Sequence, residues 1–166
     1  MNQKIVRAVA LAVLVLAGFL VYRVLFPSPE LIIRGKLKEL ANVASVTVAE
    51  GELARVANAG KVVSYFTPEV VIAVDIPGRS QHVLKGRDDL FQAAVMVRGM
   101  GTMTIEFPDI NVTVAPDKET AVVDLTAKAR IPGDANFYVQ EMKLVWKRVG
   151  RRDWLIERVE TVKTLM

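Results

Sequence analysis

Few side chains in this chain are placed to do chemistry. Asp75 is the only carboxylate in the apolar run Val70–Ile76 (VVIAVDI). A desolvated acid of that kind can act as a proton-abstracting base. A strand-end acid also caps a turn, here Pro77-Gly78, and that simpler role is the one expected. His82 is the single histidine and sits in a polar stretch between Arg79 and Lys85. A metal would need more ligands, and acid–base work would need an orienting partner, so an exposed histidine is expected. The chain has no cysteine, which leaves no disulfide framework, thiolate nucleophile or zinc cluster. No nucleophile elbow, HExxH pair, phosphate loop or dinucleotide fingerprint occurs, and no metal or cofactor is expected. Gly99-Met100-Gly101 ends a helical pattern instead of opening one, so it lacks phosphate-binding logic. Tyr138, Gln140, Met142 and Trp146 alternate along one strand face. They are candidates for an apolar ligand pocket with Gln140 as polar handle, and plain core is the competing reading. Met96, Met100 and Met103 read as gap-filling core.

The segment that limits where this chemistry would take place is the first. Residues Ile5 to Phe26 (IVRAVALAVLVLAGFLVYRVLF) are apolar apart from Arg7 and Arg23. As a helix the run would extend roughly 33 Å, enough to cross a hydrocarbon core. It ends at Pro27-Ser28-Pro29, and no polar, small-residue cleavage region follows Ala17-Gly18. The organisation predicted is a short tail (1–4), a membrane-spanning signal anchor (5–26), a linker (27–29) and one domain (30–166). The basic tail is short, so the amino terminus is placed in the cytoplasm and the domain outside it. Net charge is +4 over 166 residues. The clusters Arg34/Lys36/Lys38 and Arg151/Arg152 read as solvated surface. No aromatic-interleaved basic motif points to nucleic acid.

The rest of the pattern is helices first, then strands. Period-3.6 spacing predicts helices near 30–44, 51–65 and 88–98, the first with Ser28 as N-cap and Pro29 at the first helical position. Val70 to Ile76 reads as a strand with a hairpin partner at Gln81 to Leu84. Long strands follow over Thr102–Val114, Thr120–Ile131, Asn136–Val149 and Arg152–Lys163. In the second of these, Ala121, Val123, Leu125, Ala127 and Ala129 alternate with Asp124, Thr126, Lys128 and Arg130, giving one dry and one wet face. This is an α+β layout with about three helices on one face of a mostly antiparallel sheet. Trp146 and Trp154 are expected to be buried.

Four pieces in this order resemble the nuclear transport factor 2-like, or ketosteroid-isomerase-like, superfamily over roughly residues 30–165. They are a helix pair running into SYFTPEVVIAVD (Ser64–Asp75), the helix start LKGRDDLFQAA (Leu84–Ala94), the long strands, and a final strand opening as RDWLIERVE (Arg152–Glu160). The resemblance implies a cone-shaped curved sheet wrapped on helices with a pocket between them. It implies no activity, because the fold hosts isomerases, dehydratases and non-catalytic modules. In the isomerases a carboxylate base stands near the place of Asp75. Their oxyanion site needs a protonated acid where this chain has Met142, and a tyrosine on the first helix, where Glu30–Ala44 has none. Without those donors the largest electrostatic contribution to enolisation is missing.

The function expected is therefore a membrane-anchored, non-catalytic module that binds a small apolar ligand or a protein. The alternative is an isomerase- or dehydratase-like enzyme on an apolar substrate with Asp75 as base. Lys128, Arg130, Glu141, Lys143, Glu157 and Arg158 are expected on the outer sheet face, where mixed charges suit a homodimer contact.

Overall fold

The computed structural model describes residues 11–21, 27–75, 82–131, 137–150 and 153–162. Helix α1 covers 11–21, α2 Pro29–Ala44, α3 Glu52–Val63 and α4 Gly86–Gly99. The strands are β1 (Phe66–Val74), β2 (His82–Lys85), β3 (Thr104–Glu106), β4 (Ile110–Val114), β5 (Thr120–Arg130), β6 (Phe137–Val149) and β7 (Asp153–Thr161). They form one sheet in the order β2-β1-β7-β6-β5-β3, with β4 also on β5. Among the described strand pairs only β1–β7 is parallel.

Two departures from the sequence reading concern the strands. The stretch Thr102–Val114 is two strands, not one, because Phe107-Pro108-Asp109 interrupts it. Proline has no N–H for the ladder and restricts the residue before it. β3 and β4 therefore lie one after the other along the same edge of β5, and Thr126 N–H donates to the Asp109 carbonyl at 3.1 Å across the break. The first strand begins earlier than expected, at Phe66. Arg87 Nε holds the Phe66 carbonyl at 2.8 Å, tying that end of the strand to the first turn of α4. The chain turns from β2 into α4 through Gly86 at φ 81, a left-handed conformation glycine takes without a side-chain clash.

Ser28 stands at the N-cap of α2 as expected, but its side chain makes no capping bond. The α2 face that packs inward carries Ile33, Leu37, Leu40 and Ala41, the 3.6-residue stripe of the sequence. It covers the concave face of the sheet. There Ala121, Val123, Leu125, Leu144, Trp146, Trp154, Ile156 and Val159 complete one core. Trp146 and Trp154 are 0% and 2% exposed. Lys36 Nζ pairs with Asp153, fixing α2 to the start of β7.

α1 stands apart from this core. Every residue of 11–21 is exposed, and every buried core residue lies at Ile33 or later. Among the described residues the whole core lies after α1. At about 1.5 Å per residue the eleven described residues of α1 cover roughly half the thickness of a bilayer core. Among the described residues no helix is long and apolar enough to cross a membrane. The spanning helix expected at 5–26 therefore has no support in the described segment. Its two ends, 5–10 and 22–26, lie outside the described residues.

Candidate functional site

The candidate pocket row lies on the concave face of β6, and its burial changes along the strand. Leu144 and Trp146 are 4% and 0% exposed, Met142 and Gln140 are half-buried, and Tyr138 is 55% exposed. Register explains the gradient. Trp146 lies between Ala121 of β5 and Ile156 of β7, inside the core. Its indole Nε1 is buried without a hydrogen-bond partner among the described residues. Trp146 is core, not pocket wall. Farther along, Gln140 and Tyr138 face Ala127 and Ala129 across β5. These small partners leave Gln140 and Tyr138 with little cover at the open end of the concave face. Gln140, Tyr138 and Met142 are the large side chains there.

Asp75 follows the last residue of β1. Its backbone N–H donates to Thr161 Oγ1 at 3.1 Å, and Thr161 pairs in register with Met142. Two strand spacings, about 10 Å, separate the β1 end from β6. Val70 is buried and Ile72 packs on the core. Period-two alternation from Val70, Ile72 and Val74 therefore carries Asp75 off the concave row. Strand geometry does not deliver this carboxylate to the face that carries Gln140. The Pro77-Gly78 turn and the His82 side chain lie outside the described residues; the His82 backbone pairs with Val74. Among the described residues no group of three acids or histidines could hold a metal. Met142, at the position matched to an oxyanion acid, presents a thioether, which has no proton to donate.

Two hollows flank this region. One, of about 490 Å³, is lined by Asp109, Asn111, Asp124, Thr126, Glu141 and Met142. It is a surface depression across β4, β5 and β6. The other, of about 360 Å³, lies under the α2–α3 connection and is lined in part by Ser45, Glu50, Asn58, Lys61 and Arg98. At its base is a constellation that sequence reasoning missed. Arg98, 5% exposed, forks onto Glu50 with Nε–Oε2 at 2.8 Å and Nη2–Oε1 at 2.7 Å. Its third nitrogen, Nη1, donates to the Val43 carbonyl at 2.7 Å, and Asn58 Nδ2 donates to Glu50 at 2.8 Å. The Arg98 guanidinium and then Asn58 hold the Glu50 carboxyl below its ordinary value against burial, which pushes the other way. The pair fastens the end of α4 to the end of α2. On the far side of α2, burial and the Glu39 carboxylate raise the Tyr65 phenol, whose Oη donates to Glu39 at 3.4 Å.

One further expectation is corrected here. Met96 and Met100 are 65% and 76% exposed, because α4 turns that side away from the sheet; they fill no core gap. Of the outer-face charges, Lys147 pairs with Glu157 at 3.3 Å and Arg158 with Glu160 at 2.9 Å, so several serve as cross-strand and same-strand partners.

No family model and no curated protein matches this chain. Solved structures do. A nuclear transport factor 2-like protein of unknown function from Pseudomonas aeruginosa aligns with a TM-score of 0.62 at 11% identity, over 78% of this chain and 96% of that one. One of the same description from Pseudomonas putida KT2440 gives 0.55 at 15%, covering 76% and 83%. A proposed scytalone dehydratase from Novosphingobium aromaticivorans gives 0.56 at 12%, covering 80% and 82%. At these identities the likeness shows the fold alone: an α+β domain of the nuclear transport factor 2-like type.

Proposed function

We propose that this chain is a membrane-associated, non-catalytic module whose domain holds a small apolar ligand or a protein segment at the open end of the concave face, against Tyr138, Gln140 and Met142. The observation that carries the membrane part is α1. Its eleven residues are apolar on all sides and exposed on all sides, while the domain core closes without them. A helix of that composition is stable only where something apolar surrounds it. The apolar run extends beyond 11–21 in both directions in the sequence, to the full length of a span. The non-catalytic part is supported by Met142, which stands where an oxyanion donor would be needed, and by the β1 geometry that carries Asp75 off the concave row.

The experiment is extraction of the full chain from membranes. Full-length protein should stay in the pellet through alkaline carbonate and leave it in detergent, whereas the fragment 27–166 should be soluble. Release of the full chain by carbonate would overturn the anchor. Two copies confined to one membrane would also meet readily. The middle of the convex face, with Asp124, Lys143, Arg158 and Glu160, offers both signs of charge for a two-fold contact. Sedimentation of the fragment at low and high salt tests this. A monomer at every salt concentration removes the dimer.

A further inference from the structure

A guanidinium carries five N–H donors. In Arg98 the bonds to Glu50 and to the Val43 carbonyl use three of them. Among the described residues no acceptor meets the other two, although Arg98 is 5% exposed. A charged donor left unmet in a buried place is costly. Arg55 lies beside this group. A Cβ on Gly99 would stand 2.9 Å from Arg55 Nη1, so the missing side chain at Gly99 makes room for that guanidinium. Arg55 Nε is itself buried without a hydrogen-bond partner among the described residues. Arg98 foremost, and Arg55 to a lesser degree, hold the Glu50 carboxyl below its ordinary value. Lys61 adds a third cation in the wall of the 360 Å³ hollow that Arg98 and Glu50 also line. Among the described residues Lys61 forms no ion pair. Three cations thus stand around one carboxylate, and both oxygens of that carboxylate are already taken by Arg98 and Asn58. The Asn42 amide and the Thr47 hydroxyl, also in the wall, have no partner among the described residues.

Unmet donors, surplus positive charge and open volume coincide here. A cation would be repelled, and an apolar ligand would leave the donors unpaired. Water alone would meet the two N–H groups but leave the charge surplus. A group with several acceptor oxygens and a negative charge answers both. We propose that the hollow between the end of α2 and the start of α3 is an oxyanion site, which takes the phosphate or carboxylate group of a small molecule between Arg98 and Lys61. Arg98 offers fixed, planar N–H donors, and Lys61 a mobile point charge that closes over the group from the rim. The site shares no residue with the face of Tyr138, Gln140 and Met142, so it stands or falls apart from the function proposed above.

The test uses the full chain in neutral detergent, with the fluorescence of buried Trp146 and Trp154 reporting unfolding on heating. Sodium phosphate and sodium acetate are each titrated at neutral pH against sodium chloride of equal ionic strength. The melting temperature should rise with at least one of the two oxyanions and stay level in chloride. K61A should weaken the apparent affinity about tenfold or more, the value of one charge-assisted hydrogen bond. A54E should abolish the shift by setting a carboxylate in the wall of the hollow. Ala54 is exposed in the first turn of α3, where an acid suits the helix, so this variant keeps the fold. K38A, which removes an exposed lysine of α2 outside the hollow, should respond like wild type. No shift with either oxyanion would mean that water alone meets Arg98, and would overturn the site. A shift that survives in both K61A and A54E, or that K38A removes as well, would overturn it too, because the anions would then act on general surface charge.

Discussion

Trp146 and Tyr138 stand on the same face of the same strand, eight residues apart, yet one is wholly buried and the other is 55% exposed. Near Trp146 the sheet is roofed by α2, whose Ile33 and Leu37 are 0% exposed. Near Tyr138 the helices have passed, and the facing residues on β5 are alanines. The comparison separates two properties that one alternating pattern confers together. Period-two spacing fixes which face a side chain occupies. What lies above that face depends on where a helix ends.

The largest effect should come from the roofed end. Trp146→Ala removes a fully enclosed indole and leaves a cavity that neighbours cannot fill, so the fragment should lose about 3–5 kcal/mol, a large share of a small domain's stability. Urea unfolding followed by circular dichroism measures this. A loss below 1 kcal/mol would mean that the two ends of β6 do not differ as described.

Next comes a polar closure near the open end. Glu50→Gln leaves the buried Arg98 without its counter-charge and should cost about 3 kcal/mol at neutral pH. The folded Glu50 carboxyl is held below its unfolded value of 4.5. Its contribution is therefore complete above that value and disappears as pH falls through the lowered folded one. The stability gap between wild type and E50Q should be widest at pH 7 and shrink below pH 4.5. A gap independent of pH would show that the loss comes from packing and not from the charge.

These two sites also mark how far the sequence could be read. The helix stripe Ile33, Leu37, Leu40 and the alternation Ala121, Val123, Leu125 are local patterns, and the elements they imply are present in the structure. The proline break at Pro108 is equally local, but the β-branched and apolar residues farther out on both sides read through it as one strand. Arg98 and Glu50 are 48 residues apart, on elements whose contact no local pattern encodes. Met96 and Met100 fit a helix stripe but lie on the side of α4 turned from the sheet. The row Tyr138, Gln140, Met142, Trp146 is legible as a face, and Ala127 and Ala129 opposite it signal that its far half has little cover. That Trp146 belongs to the core half depends on where α2 lies.

A smaller effect is expected where the roof stops. Tyr138→Ser removes a ring already half in water, opposite an alanine, and should cost less than about 1 kcal/mol. If this end of the concave face holds a ligand, the substitution should lower ligand-induced thermal stabilisation of the fragment far more than it lowers the melting temperature itself. Equal stabilisation of wild type and variant by a binding compound would place the ligand elsewhere.

The smallest effect should be at Asp75. This residue follows β1 at the open end, its main chain is held by Thr161, and alternation turns it from the concave row. Asp75→Asn keeps the volume and the backbone bond, so stability should change by no more than about 0.5 kcal/mol. Its functional consequence is more informative. A catalytic base loses its proton affinity in this change, and an enzyme that depends on it would fail in cells while its circular dichroism stayed native. A non-catalytic module would not notice, because no oxyanion donor at Met142 waits for the proton transfer that Asp75 would begin. Unchanged cellular function with a native fold is the outcome expected. A null phenotype with an intact fold would make the open end an active site and reverse the reading of the molecule's two halves.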